Sequence, residues 1–380
     1  MYTKEKFNEI LEKIASAIDI SEALFDKAEI EYTALGKWID EATQSYAINI
    51  YPQGSFALGT VIKPLTDNDE YDLDLVCELE KSYGLSAKQL KVNIIKPLLI
   101  SYKKTTTDIV EKRRCWCVEY DHFKGFHMDV IPAIHGEYHI KITEKDEEKN
   151  TYEYIGSNPK GYIDWFNGRK RIRYAKILEA VQHSKIVKCE ADIAPIKEYQ
   201  LKTPLQKAIQ ILKRHRDKMF ENDKNNIAPI SIIITTLVAH LYNNEETIYD
   251  VLASFVNGAR SYIDKNKKNG NYYIENPSFT GENFSDKWIE HPERAEAFFE
   301  WLDKVRLDFV DQSLLQFNRV KLAERLNESV GEVTVNRIFS EMAETEKQNI
   351  QNQTAKVIAV SGAIDTKGTV AIPTNHHHGK

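Results

Sequence analysis

The chain has 380 residues, 42% of them apolar, and a formal net charge of −6. That length allows two domains with a substantial core, and the acidic balance argues against a surface built broadly for nucleic acid. No run of about 18 apolar residues occurs, and the charged start MYTKEKFNEILEKIASAIDI is neither a signal peptide nor a membrane span. The expectation is therefore a cytoplasmic protein with no membrane partner.

Phe7, Ile10, Leu11, Ile14 and Ile18 fall on one helical face, and Ser21 reads as the N-cap of a second helix with Phe25, Ala28, Tyr32, Leu35 and Ile39 on its stripe. YAINIY (46–51) and YDLDLVCEL (71–79) alternate like strands. Residues 86–103 return to helix, and RCWCVEY (114–120) and GFHMDVIPAI (125–134) read as strands joined by a turn at Lys124-Gly125. Beyond about residue 160 the pattern is helical. Thr203-Pro204 marks a helix start, with Leu205, Ala208, Ile209, Leu212 and Met219 on its buried stripe. The apolar run 229–242 is expected to be a central helix, and 288–312 a helix interrupted near Pro292. The fold class is thus α+β: a mixed helix-and-sheet core with N-terminal helices over 1–165, a helical lobe over 166–345 and a flexible tail over 346–380. Cys77, Cys115, Cys117 and Cys189 lack zinc-finger spacing and read as reduced thiols. His376, His377 and His378 read as a solvated tail.

Side chains i and i+2 of a strand share a face about 6–7 Å apart, so Asp72 and Asp74 project side by side. Two such anions repel, and one is pushed to take up a proton unless a cation lies between them. Hard oxygen ligands suit Mg²⁺, with Mn²⁺ as an alternative, rather than zinc. Asp129 sits on a further apolar strand. Three strand-borne aspartates can hold two cations about 3.5–4 Å apart, the arrangement for in-line phosphoryl displacement. Upstream, Gly54 lets backbone approach a phosphate and Ser55 adds a hydroxyl donor, with a short helix expected to open at Phe56. GSFALGT has no Walker lysine, so it is not a P-loop. Asp67, Asp69 and Glu70 fall in a loop before the strand and are left out of the set.

This order resembles the polymerase-β-like nucleotidyltransferase superfamily and, more narrowly, the bacterial cGAS/DncV-like nucleotidyltransferases. The resemblance rests on PQGSFALGTVIKP (52–64), EYDLDLVCEL (70–79), FHMDVIPAI (126–134), SNPKGYIDWF (157–166), LKRHRDKMF (212–220), APISIIITTL (228–237) and NPSFTGENFSDKW (276–288). It implies a polymerase-β-like core with a mixed sheet and a helical lobe that covers the nucleotides. Asp72 and Asp74 would hold two Mg²⁺ ions and Asp129 would complete the site for an attacking ribose hydroxyl. Gln53, Gly54 and Ser55 would hold the donor phosphates.

The implied activity is synthesis of a cyclic di- or trinucleotide from NTPs in anti-phage signalling. ATP is the first candidate substrate, with GTP or a pyrimidine nucleotide beside it. Accessory regulators and an effector that responds to the product are the implied partners; no nucleic-acid activator is evident. A linear nucleotidyltransferase and a non-catalytic nucleotide-binding member are the alternatives. In the helical lobe Lys213 is a candidate phosphate contact weighed against a solvated helix edge, and Ser231 a candidate phosphate or ribose contact weighed against an ordinary helix serine. Arg216 is read as structural before phosphate-binding, and Asn283 and Trp288 as structural before catalytic. The aromatic cluster Tyr162, Trp165 and Phe166 reads as core before base-stacking. The basic runs 112–114 and 169–171 are the nearest to a nucleic-acid groove and read equally as ordinary solvated faces.

Overall fold

In the computed structural model, which describes residues 2–43, 46–65, 71–82, 84–102, 109–119, 126–187, 201–352, 354, 356–357, 364–365 and 370–371, the stripe starting at Phe7 becomes helix α1 (Lys4–Ile18) with Phe7, Ile10, Leu11, Ile14 and Ile18 buried. Helix α2 (Glu22–Ala42) follows, capped by Ser21, whose hydroxyl accepts from the Leu24 amide at 3.3 Å. The Lys124-Gly125 turn, the acidic stretch 66–70, Cys189 and the histidines 376–378 lie outside the described residues.

The alternating segments form one mixed sheet. Strand β1 (Ile48–Pro52) leads into a single helical turn, α3 (Gly54–Leu58), and then β2 (Tyr71–Leu79). A π-wound turn (Gln89–Ile95) runs into α4 (Lys96–Ser101). The wider winding ends at Ile95, and Pro97, which has no N–H to give, sits in the first turn of α4, where none is needed. Strands β3 (Ile109–Glu111), β4 (Trp116–Glu119), β5 (Phe126–Ile134), β6 (Ile140–Asp146) and β7 (Thr151–Ser157) complete the sheet in the order β1-β2-β5-β4-β3, with β6 joining β5 and β7 joining β6. The β2–β5 pair is parallel and its neighbours are antiparallel.

Strand alternation gives the sheet two unlike faces. Leu73, Leu75, Cys77, Leu79, Trp116, Val118, Met128 and Val130 point to a core shared with α2, the π-turn and α4. Val76, Cys115, Ile131, Ala133, Ile140 and Ile142 form a smaller apolar cluster elsewhere in the sheet. Each fully buried aliphatic side chain contributes about 1.5–3 kcal/mol, so the register that buries Leu73 and Leu75 also fixes where Asp72 and Asp74 point.

Helix α5 (Pro159–Val187) follows, with Tyr162 and Phe166 buried and Trp165 half-buried, so the core reading of that aromatic cluster fits its first and last members. Helix α6 (Pro204–Met219) begins with a reciprocal cap: Gln206 Oε1 accepts from the Thr203 amide at 3.0 Å. Helices α7 (Ser231–Leu241), α8 (Ile248–Lys265), α9 (Lys287–Glu290), α10 (Pro292–Val305), α11 (Arg319–Val330) and α12 (Glu332–Gln351) follow. The expected break near Pro292 falls between α9 and α10.

The chain forms two compact units, and their bounds differ from a cut at 165. One contains residues 19–206 and 266–286, with the whole seven-stranded sheet. The other, helical, contains 1–18, 207–265 and 287–380. Helix α1 belongs to it because its apolar stripe packs on α8 and α12. Of the 346–380 segment, 346–352, 354, 356–357, 364–365 and 370–371 are described. Helix α12 continues to Gln351, and strands β8 (Lys356–Val357), β9 (Ile364–Asp365) and β10 (Val370–Ala371) pair antiparallel. Among the described residues no helix is long and apolar enough to cross a membrane.

Candidate active site

Parallel pairing sets Asp74 directly beside Asp129 and Asp72 beside His127. All four lie on one face of the sheet, because each strand contributes residues two apart. Asp72, Asp74 and Asp129 each offer a carboxylate oxygen within 4.8 Å of the others, and together could hold a metal ion. Asp129 is 8% exposed, Asp74 is half-buried and Asp72 is exposed, so the cluster opens from the sheet interior towards solvent. Three carboxylate oxygens at this spacing suit a hard divalent cation.

Glycine is dictated at position 54 by two independent facts. Its φ is +62°, in the left-handed region, and a Cβ there would overlap Asp74 Oδ2 and come within 3.1 Å of Asp74 Cγ. The turn is held to β2 by the Gln53 amide, which donates to the Asp74 carbonyl at 2.9 Å. Helix α3 starts at Gly54 rather than Phe56 and ends at Gly59, whose φ is +66°. Gln206 Nε2 donates to the Leu58 carbonyl at 2.9 Å and so pins the far end of this turn. Gln53, Gly54 and Ser55 are thereby brought to the strand that carries Asp72 and Asp74.

Two charged neighbours lie outside the expected set. Lys112 Nζ donates to both Asp129 oxygens at 2.9 Å. Burial opposes its charge, but the Asp129 hydrogen bond and attraction outweigh that and raise its pKa. His127 Nε2 lies 3.3 Å from Asp72 Oδ1, and that hydrogen bond raises the imidazole pKa against burial. The run at 112–114 is thus no plain solvated face: Arg113 and Arg114 both pair with Glu144, at 2.7 and 3.0 Å. His127 is legible as the i−2 neighbour of Asp129; Lys112 carries no signal beyond its charge. On the facing strand, burial followed by Asp129 pushes the Cys117 thiol up to about 12.

Further along β2, buried Glu78 is paired with exposed basic side chains. Glu78 accepts from Lys160 at 3.2 Å and lies 2.9 Å from His135 Nδ1. Asn158, before α5, accepts from the Gly161 amide at 3.0 Å and donates to the Ser278 carbonyl at 2.8 Å. Asn283 Oδ1 accepts from the Ile274 and Ser285 amides at 2.9 and 3.0 Å, consistent with its structural reading.

Lys213 and Ser231 belong to the helical unit. Lys213 is buried on α6, and Ser231 Oγ, at the start of α7, accepts from Arg216 at 3.2 Å. Arg216 also donates to Asp217 at 2.6 Å and to the Pro229 carbonyl at 2.8 Å, the structural pairing expected of it. Trp288 is buried against Phe298 and Phe299 in the same unit.

Residues 1–169 match the Second Messenger Oligonucleotide or Dinucleotide Synthetase domain. A c-di-GMP synthase of Roseivirga ehrenbergii is 28% identical over 316 residues, covering 81% of this chain and 80% of the relative. The cyclic dinucleotide synthase CdnG of Bradyrhizobium diazoefficiens is 25% identical over 297 residues, covering 74% of this chain and 70% of the relative. The solved structure of that CdnG in complex with GTP matches the fold with a TM-score of 0.67 at 21% identity, over 88% of this chain and 98% of the other.

Proposed function

The chain belongs to the cGAS/DncV-like nucleotidyltransferases of the polymerase-β-like fold, and from that premise we propose that it joins NTPs into a cyclic dinucleotide second messenger with release of pyrophosphate. The observation that carries the reading is the meeting of Asp72, Asp74 and Asp129 on one sheet face, with Gly54 packed against Asp74. The named relatives make cyclic dinucleotides, which favours a two-nucleotide ring over a three-nucleotide one. Signalling in anti-phage defence follows at the level of the family.

Each transfer breaks the bond between the α-phosphorus and the bridging oxygen of one NTP and forms a bond to a ribose hydroxyl oxygen of the other nucleotide. The hydroxyl proton is lost and pyrophosphate leaves; a second, intramolecular transfer closes the ring. Asp72 and Asp74 would hold two divalent cations, Mg²⁺ in this proposal, and Asp129 would complete the set. When bound, the cations lower the pKa of that hydroxyl and neutralise the leaving pyrophosphate. Gln53, Gly54 and Ser55 take the donor phosphates, and the missing Cβ of Gly54 keeps backbone and Asp74 close together. Lys112 balances the Asp129 charge and would compete with a cation for that carboxylate. His127 orients Asp72.

The test is incubation of the pure protein with labelled NTPs and Mg²⁺, followed by phosphatase and mass spectrometry. A product without phosphatase-sensitive phosphate, with the mass of two nucleoside monophosphates less two waters, supports the proposal. Release of terminal phosphate from every product would make the protein a linear transferase, and no product would leave a nucleotide-binding member.

A further inference from the structure

We propose that Cys117, His127 and Asp129 form a second metal site, suited to a borderline-soft cation such as Zn²⁺, which competes with the three-aspartate site for Asp129. One ligand atom of each, a thiol sulfur, an imidazole nitrogen and a carboxylate oxygen, lies within 4.8 Å of the other two. The register explains the assembly. Cys117 on β4 stands opposite Asp129 on β5, and His127 shares the face of Asp129 two residues earlier. The donors come from two paired strands rather than from one loop, so no close cysteine spacing announces them.

The donor set differs in kind from the neighbouring one. Sulfur and nitrogen beside one oxygen select zinc-like cations, whereas three carboxylates select hard ones. Zinc with bonds of about 2.0–2.3 Å holds tetrahedral ligands roughly 3.3–3.8 Å apart. Donors already within 4.8 Å need to close by about an ångström, within reach of side-chain adjustment on a fixed ladder. Cys117 and Asp129 are 7% and 8% exposed, and half-buried His127 lies on the open side, leaving the fourth position to water. Binding replaces the Cys117 thiol proton and displaces Lys112 from Asp129. Zinc in this position draws on the carboxylate that the hard-cation site needs, so free zinc antagonises Mg²⁺-supported turnover.

Cobalt(II), added to the full chain without nucleotide or Mg²⁺, reads occupancy directly and without turnover. The expected result is a thiolate-to-cobalt charge-transfer absorption that saturates at one equivalent. It is lost in Cys117→Ser, needs at least about tenfold more cobalt in His127→Asn, and persists in the Asp72→Asn, Asp74→Asn double variant. The histidines at 376–378 supply no thiolate and give no such band. Zinc titrated into the Mg²⁺ assay should inhibit the unaltered chain and spare Cys117→Ser. Should Cys117→Ser not fold, Cys117→Ala serves in both measurements. Absence of a thiolate band in the unaltered chain, or its survival when Cys117 is replaced, overturns the site. These readouts stand whether or not the product is cyclic.

Discussion

Replacing Gly54 with alanine perturbs the candidate site at one defined place. At φ +62° an L-residue costs about 1–2 kcal/mol, less the 0.4–1 kcal/mol or so that alanine recovers by restricting the unfolded chain. Stability should therefore fall by roughly 1 kcal/mol, a drop in Tm of about 2–4 °C for units of this size. The larger effect is local. The new Cβ overlaps Asp74 Oδ2, and ordinary contact distances of about 3.5–4.0 Å force that carboxylate to move by an ångström or more. Mg²⁺ demands near-ideal ligand geometry at about 2.0–2.1 Å, and an ångström of misplacement costs about a hundredfold in rate. Gly84→Ala is the control: its φ is +73°, yet nothing lies within 4 Å of its Cβ. Turnover from Mg²⁺ and NTPs, measured beside thermal melts, separates the two. Both variants should show similar melting shifts, and only Gly54→Ala should lose about two orders of magnitude in kcat. A Gly54→Ala enzyme within threefold of the unaltered chain would refute the claim that Asp74 placement depends on this glycine.

The Asp72→Asn, Asp74→Asn double variant should lose at least about a thousandfold in turnover, while its Tm holds or rises because repelling charges are gone; retained activity would sink the site assignment. Lys112→Met should lower the half-saturating Mg²⁺ concentration about two- to fivefold, because a half-exposed competing cation is removed; calorimetric titration without nucleotide measures this. In the helical unit, fully buried Asp308 lies 3.0 Å from His215 Nε2 and accepts from Ser329 and Lys304 at 2.8 and 3.1 Å. Burial lowers the His215 pKa, whereas for Asp308 the hydrogen bonds overcome burial and hold the carboxyl below its usual range. The unfolded chain thus binds more protons at both positions, so their contribution declines as pH falls, first through about 6.5 and then below about 4. Denaturant melts should show stability lost between pH 7.5 and 5.5, as the unfolded imidazole takes up a proton that the buried one does not, and that loss should be absent in His215→Gln. Asn158→Ala should cost about 1–2 kcal/mol by removing the cap of α5 and its bond to the Ser278 carbonyl, read as a shift in the denaturant midpoint.

Local patterns in the sequence reveal much of the candidate site. Alternation alone places Asp72 and Asp74 on one strand face, and the apolar neighbours of Asp129 mark a second buried strand. What alternation cannot supply is register between distant strands. That Asp74 stands beside Asp129, and Cys117 opposite it, follows from ladder pairings that no local window contains. Lys112 reads with Arg113 and Arg114 as a solvated run because a charge cluster does not name its counter-ions. The β6–β7 hairpin escapes a reading by alternation because charged side chains interrupt its pattern; its turn ends at Asn150, which takes a left-handed φ of +53°. Helix α1 is legible as an amphipathic helix, but a stripe does not say which partner covers it. Gly54 is expected for the approach of a phosphate, whereas the structure adds a second need, the Asp74 carboxylate packed against it.

The parallel pairing of β2 with β5 has a consequence for the order in which the protein assembles. Parallel neighbours cannot be joined by a tight turn and need a crossover. Here the π-turn, α4, β3 and β4 all lie between them in the chain. Closing so long a loop costs entropy before any ladder bond rewards it, which slows folding. The three aspartates therefore become neighbours only when this late pairing closes. A nascent chain that stops before Phe126 carries two of the three carboxylates and no assembled site. Acquisition of divalent-cation affinity during refolding would then time the closing of the sheet, and a chain still unfinished could not begin to spend its nucleotides.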